Sequence, residues 1–137
     1  MKKLLSISLV LVMAVAMLTG CGGSKLADCF VEKDVISTAK LAIDALNNGD
    51  YEGTVGYLKE DLQAQLPAEK LEESVKPTME KMGAFKDYGD TAVVGSVSKD
   101  TNEDFAIALI SANYENGTIT YTIGFDKDMQ MVQFFLK

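Results

Sequence analysis

Tyr57, Tyr114 and Tyr121 are the side chains through which this sequence could hold a small ligand, because a phenol donates and accepts hydrogen bonds from a large apolar ring. Tyr88 offers a fourth hydroxyl, and Asp44 and Asp90 offer carboxylates that could take a proton from one. The remaining chemistry is sparse. The 137 residues include no His and no Trp, and all 13 cationic side chains are Lys. Without His the usual base and metal ligand near neutral pH is missing. Without Arg there is no guanidinium fork for phosphate. The sequence therefore predicts no catalytic residue, no metal centre and no cofactor.

Two spacings resemble sites and are outweighed by their surroundings. Gly53 and Gly56 have the spacing of a phosphate clamp, but in an acidic chain they read as helix-packing glycines. Asp100-Thr101-Asn102-Glu103-Asp104 opens like a calcium loop, yet Phe105 stands where a Gly must turn and Ser111 where a bidentate Glu must close it. With Asp126 and Asp128 at the same sheet end, these acids form either a weak cation site or a solvated acidic rim.

Cys21 carries the most specific chemistry. Lys2 and Lys3 precede an apolar run over residues 4–18, interrupted only by Ser6 and Ser8, and Leu18-Thr19-Gly20-Cys21 follows. This order reads as an export signal, and the run is too short for a permanent membrane span. Its end resembles a bacterial lipobox, which implies cleavage before Cys21 and a diacylglycerol thioether on its sulfur, with further acylation such as palmitate. Two or three acyl chains give a stable anchor where one is marginal. Gly22-Gly23-Ser24 then serves as a tether. The mature chain is expected outside the cytoplasm, on the outer side of the cytoplasmic membrane or on an outer membrane where the envelope has one. Removing Lys2 and Lys3 with the signal takes the formal charge from −7 to −9. Such a body is repelled by nucleic acid and by anionic lipid, so the expected membrane contact is the anchor alone. Cys29, the second cysteine, reads as an unpaired residue near a helix start.

The elements that must position the tyrosines follow from periodicity. Val31, Val35, Ala39, Ala42 and Leu46 form one face of a first helix, ended by Asn47-Asn48-Gly49. Asp50 caps a second, with Tyr51, Val55, Leu58 and Leu62 inward and Gly53 and Gly56 against another backbone. Pro67 opens a third, with Leu71, Val75, Thr78 or Met79, and Met82 inward, a kink or break near residues 74–76 imposed by Pro77, and Gly83 at its end. The period then changes to two, with strands at about residues 85–98, 103–115, 118–126 and 129–136. Asn116-Gly117 predicts a two-residue turn that sets Tyr114 opposite Ile119, Ala112 opposite Tyr121 and Ala108 opposite Phe125. Tyr114 and Tyr121 then face the helices. On the other face Phe105, Ile107 and Leu109 form an apolar patch, joined by part of the last strand, that reads as an interface for a second copy or an envelope protein.

Four short stretches carry a resemblance: Leu46-Asn47-Asn48-Gly49-Asp50-Tyr51, Leu66-Pro67-Ala68-Glu69-Lys70-Leu71, Met82-Gly83-Ala84-Phe85-Lys86, and Phe125-Asp126-Lys127-Asp128. In this order they resemble a bacterial domain-of-unknown-function family of exported or lipid-anchored proteins with a cystatin-like fold similar to nuclear transport factor 2. Val75 stands where that family tends to carry Trp, and Met129 where a Gly is usual. Some relatives precede an α/β-hydrolase domain, but no Gly-x-Ser-x-Gly occurs here and no hydrolase activity carries over. The resemblance implies a pocket between helices and sheet.

The expected protein is thus α+β: three N-terminal helices on a curved four-stranded antiparallel meander. Residues 1–20 are a signal, residues 21–27 the lipidated Cys and tether, and residues 28–137 one domain. Its expected role is noncatalytic binding of a ligand or protein. The rival is an enzyme with a Tyr and carboxylate pocket.

Overall fold

A computed structural model describes residues 25–137; the signal, Cys21 and the start of the tether lie outside the described residues. The order is α1 (Glu32–Asn47), α2 (Tyr51–Gly56), α3 (Glu60–Gln65), α4 (Ala68–Met82), then β1 (Phe85–Val97), β2 (Asp104–Tyr114), β3 (Gly117–Phe125) and β4 (Met131–Leu136). The strands form one antiparallel sheet in sequence order, and the fold is α+β. No helix among the described residues is long and apolar enough to cross a membrane.

The α1 stripe is buried at Val35, Ala39, Ala42, Ile43 and Leu46, but Val31 is exposed at the N-cap position rather than part of it. Asp50 caps α2 by accepting from the Gly53 amide at 2.9 Å. Four helices replace the expected three. The stretch Tyr57-Leu58-Lys59 leaves the helix because the edge strand takes its backbone groups: Met131 N donates to the Tyr57 carbonyl and Lys59 N to the Met131 carbonyl, both at 2.8 Å. The glycines of this region have other reasons than backbone packing. A Cβ at Gly53 would fall on the Asp50 carboxylate, whereas Gly56 faces open space. The break expected at Pro77 does not form, and α4 runs through it. Pro77 lacks the amide that would bond the Glu73 carbonyl one turn back, and both residues are exposed.

The β2–β3 register differs by two residues from the expected one: Ala112 pairs with Ile119, Ile110 with Tyr121 and Ala108 with Ile123. An even shift keeps every side chain on its face, so Ala106, Ala108, Ile110, Ala112, Tyr114, Ile119, Tyr121, Ile123 and Phe125 are all buried beneath the helices. The cause is the end of α4. Glu115 N donates to the Ala84 carbonyl, Asn116 N to the Met82 carbonyl, and Asn116 Nδ2 to the Lys81 carbonyl, each at 2.9 Å. The hairpin tip thereby satisfies carbonyls that the helix leaves unbonded, and Glu115-Asn116 becomes the turn. Gly83 makes the exit possible with φ 82, a conformation costly to other residues.

A second irregularity sits between β3 and β4. Gly124 pairs with Gln133 but Phe125 pairs with Met131, so Val132 is the extra residue of a bulge. Met131 therefore joins Phe134 and Leu136 in the core, and Phe135 alone of the strand's large apolar residues is exposed, at 37%.

Candidate functional site: a cleft over a tyrosine pair

The first strand pair runs from Phe85 opposite Tyr114 at one end of the sheet to Val97 opposite Asp104 at the other. At the Phe85 end both covering helices stop, α1 at Asn47 and α4 at Met82. Gly49, Gly83 and Ala84 fill little of the space that results. A cleft of about 230 Å³ remains, lined on its helical side by Asn47, Tyr51, Lys76, Met79 and Glu80 and floored by Phe85 and Tyr114.

Tyr114 and Tyr121 are both buried and their hydroxyls lie 2.7 Å apart. Tyr114 also lies 2.7 Å from Asn47 Oδ1, to which it donates. Each hydroxyl has one proton, so the consistent direction is Tyr121 to Tyr114 to Asn47. Met79 Sδ, 3.9 Å from the Tyr121 oxygen, is a weak alternative acceptor. Asn47 Nδ2, at the end of this chain, is buried without a partner among the described residues. Burial raises the pKa of both phenols, more strongly for Tyr121, where the neighbouring Tyr114 adds to it. They remain neutral donors and acceptors near neutral pH, a set suited to holding a polar group rather than to taking a proton from it.

The other sequence-predicted residues lie elsewhere. Tyr88 donates to Asp44 Oδ1 and lies 3.1 Å from the Lys40 carbonyl, with its pKa raised by burial and by the Asp44 carboxylate. Its ring meets that of Phe85 at a tilt of 59°, with centroids 4.9 Å apart, and the Phe85 ring meets Tyr114 edge-on at 5.6 Å. The one tyrosine and carboxylate pair among the candidates thus stands beside the cleft and does not line it. Asp90 is exposed. Tyr57 is half-buried at the far end of β4 and belongs to no tyrosine cluster. Asn47, legible in sequence only as a helix-ending residue, is the site residue that sequence reasoning missed.

On the outer sheet face Phe105 is only 7% exposed and contributes little surface, while Ile107 and Leu109 are half-buried. Leu109, Thr122 and Phe135 form a cross-strand row there. At the acidic end no three Cys, Asp or Glu side chains among the described residues come together as a metal site. Asp126 is instead the keystone of its turn: its Oδ1 accepts from Asp128 N at 3.0 Å and Gln130 N at 2.9 Å. Cys29 is exposed and free. Val75 is buried one turn before Met79 and does not line the cleft.

Residues 39–134 match the family described as "Protein of unknown function (DUF3887)", a span containing every residue of the tyrosine cluster. The chain belongs to the DUF3887 family. It is similar to a protein from Ruminococcus gnavus ATCC 29149 solved by NMR, with a TM-score of 0.71 and 28% identity over 82% of this chain and 96% of that one. No curated protein matches the chain. The four sequence stretches that resembled a domain-of-unknown-function family all lie within the span matched to DUF3887.

Proposed function

We propose that this DUF3887 protein is a noncatalytic, lipid-anchored domain of the cell envelope that binds a small polar ligand in the cleft over Tyr114. The observation that carries the reading is the cleft of about 230 Å³ beside the ordered chain Tyr121, Tyr114, Asn47, whose last amide nitrogen has no partner. A buried donor without a partner is uncommon and costs free energy, so a carbonyl or carboxylate reaching Asn47 would find it already desolvated. Helices packed on a four-stranded antiparallel sheet, with a cleft where the helices end, support the nuclear-transport-factor-2-like assignment. The anchor rests on the lipobox at Cys21.

The test is NMR of the mature chain titrated with small carboxylates, amides and phenols. Selective shifts of the Asn47 side-chain amide and the Tyr114 ring are expected, and the Tyr114 shift should be lost in Asn47→Ala. Shifts confined to Leu109, Thr122 and Phe135 would instead support the second reading, a protein interface on the outer sheet face, for which the exposed Phe135 speaks. The enzyme alternative would draw on Tyr88 and Asp44; turnover abolished by Asp44→Asn would establish it. Cys21→Ser should release the protein from membranes and abolish incorporation of labelled palmitate.

A further inference from the structure

Residues 25–30 are strapped to the body at a defined place. The Lys25 carbonyl and Leu26 Cα lie directly on Gly95, where a Cβ would fall on the Lys25 oxygen and within 3.0 Å of Leu26 Cα. Leu26 and Ala27 pack against the core, Phe30 is buried in it, and Phe30 N donates to the Ala27 carbonyl at 3.1 Å. Gly95 sits two residues before the end of β1, beside the turn over residues 98–103, and pairs with Ala106. The cleft is at the opposite end, where Phe85 pairs with Tyr114. On the partner strand the same interval, from Ala106 to Tyr114, is eight residue steps, about 26 Å at 3.3 Å each, because β1 carries extra residues in its bulges.

We propose that this strap decides which way the domain faces on its membrane: the turn over residues 98–103 is held at the lipid headgroups, and the Tyr114 cleft opens away from them. The proposal rests on acylation of Cys21. From Cys21 to Lys25 the chain has four residue steps, a reach of at most about 14 Å. That is about half the distance from the strap to the cleft, so the strapped end stays at the bilayer whatever path the tether takes. The surface at that end does not adhere. Asp28, Asp100, Glu103, Asp104 and Asp128 are exposed there against Lys25, Lys99 and Lys127, while the larger part of the −9 charge lies on the rest of the body, which an anionic headgroup layer repels within a Debye length of about 8 Å. Point attachment together with repulsion stands the domain on this end rather than laying it on its side. A ligand arriving from outside the membrane then meets the cleft first.

The experiment uses the mature acylated protein with Cys29→Ser, in vesicles of phosphatidylcholine with a minority of phosphatidylglycerol and a trace of headgroup-labelled acceptor lipid. A donor dye is placed on Thr101→Cys beside the strap or on Lys81→Cys at the cleft end. Energy transfer to the lipid should be several-fold greater from position 101. Inserting a long Gly and Ser segment between Ser24 and Lys25, which touches no part of the fold, should shrink that contrast. Equal transfer from the two positions of acylated protein, or greater transfer from position 81, overturns the orientation. A Cys21 peptide whose mass lacks the diacylglyceryl group overturns the anchor reading itself, and the orientation with it.

Discussion

The Tyr114 and Tyr121 hydroxyls meet at 2.7 Å beneath the helices, and Tyr114 passes the chain on to Asn47 at the cleft. The two rings are on adjacent strands but not directly opposite: Tyr114 pairs with Gly117, and Tyr121 pairs with Ile110. Their hydroxyls meet because both long rings point to one face and reach toward the same helix ends.

This direction of hydrogen bonding makes the two tyrosines unequal. Tyr114→Phe removes the middle of the chain and leaves Asn47 Oδ1 and the Tyr121 hydroxyl without their strong partners, at a cost of about 1–3 kcal/mol. Tyr121→Phe removes only the first donor and should cost about 1 kcal/mol. The double variant should be less destabilised than the sum of the two. Urea unfolding of the three proteins measures this; strict additivity would show that the hydroxyls are not coupled.

Alkaline pH should destabilise the fold through the same groups. The phenol pKa is raised in the folded state at Tyr88, Tyr114 and Tyr121, so above pH 10 the unfolded chain loses protons that the folded chain keeps. The stabilisation is complete below pH 10 and is lost as pH rises toward the folded-state values. For the fully buried Tyr121 the slope approaches about 1.4 kcal/mol per pH unit. Unfolding midpoints between pH 9 and 11 should fall less steeply in Tyr121→Phe, with the phenolate followed by its absorbance.

Asp126 is 6% exposed, and its role as a turn acceptor can be separated from any role as an anion. Asp126→Ala strips two backbone amides of their acceptor and should cost about 1–3 kcal/mol. Asp126→Asn keeps an oxygen in place and should cost well under half as much. Added calcium should leave the thermal midpoint of the parent protein unchanged. A calcium-dependent rise lost in Asp126→Asn would reassign the turn as a cation site.

Gly95→Val should lift the strap from β1, because the added atoms occupy the place of the Lys25 carbonyl. A loss of about 1–3 kcal/mol is expected from overpacking. Tryptic cleavage after Lys25 should become faster while the Tyr114 environment stays intact by NMR. Unchanged cleavage would show that the strap does not depend on the missing side chain.

The sequence by itself determined the α+β order, the core face of the β2–β3 hairpin, the cap at Asp50 and the stop at Gly49, because each depends on periodicity or on chemistry within a few residues. It also placed Tyr114 and Tyr121 on the helical face. The tertiary structure decided what depends on bonds between distant elements. The expected second helix is two helices because Met131 takes the backbone groups of Tyr57 and Lys59. The hairpin register moves by two because the carbonyls at the end of α4 need the amides of Glu115 and Asn116, and an isolated hairpin has no such partner. The bulge at Val132 turned Met131 inward and left Phe135 as the outward residue, a choice invisible to alternation alone. The cleft shows the same division. Its tyrosines were legible as core residues, but Asn47 became a site residue only when the end of α1 came to rest within hydrogen-bonding distance of a hydroxyl 67 positions away in the chain.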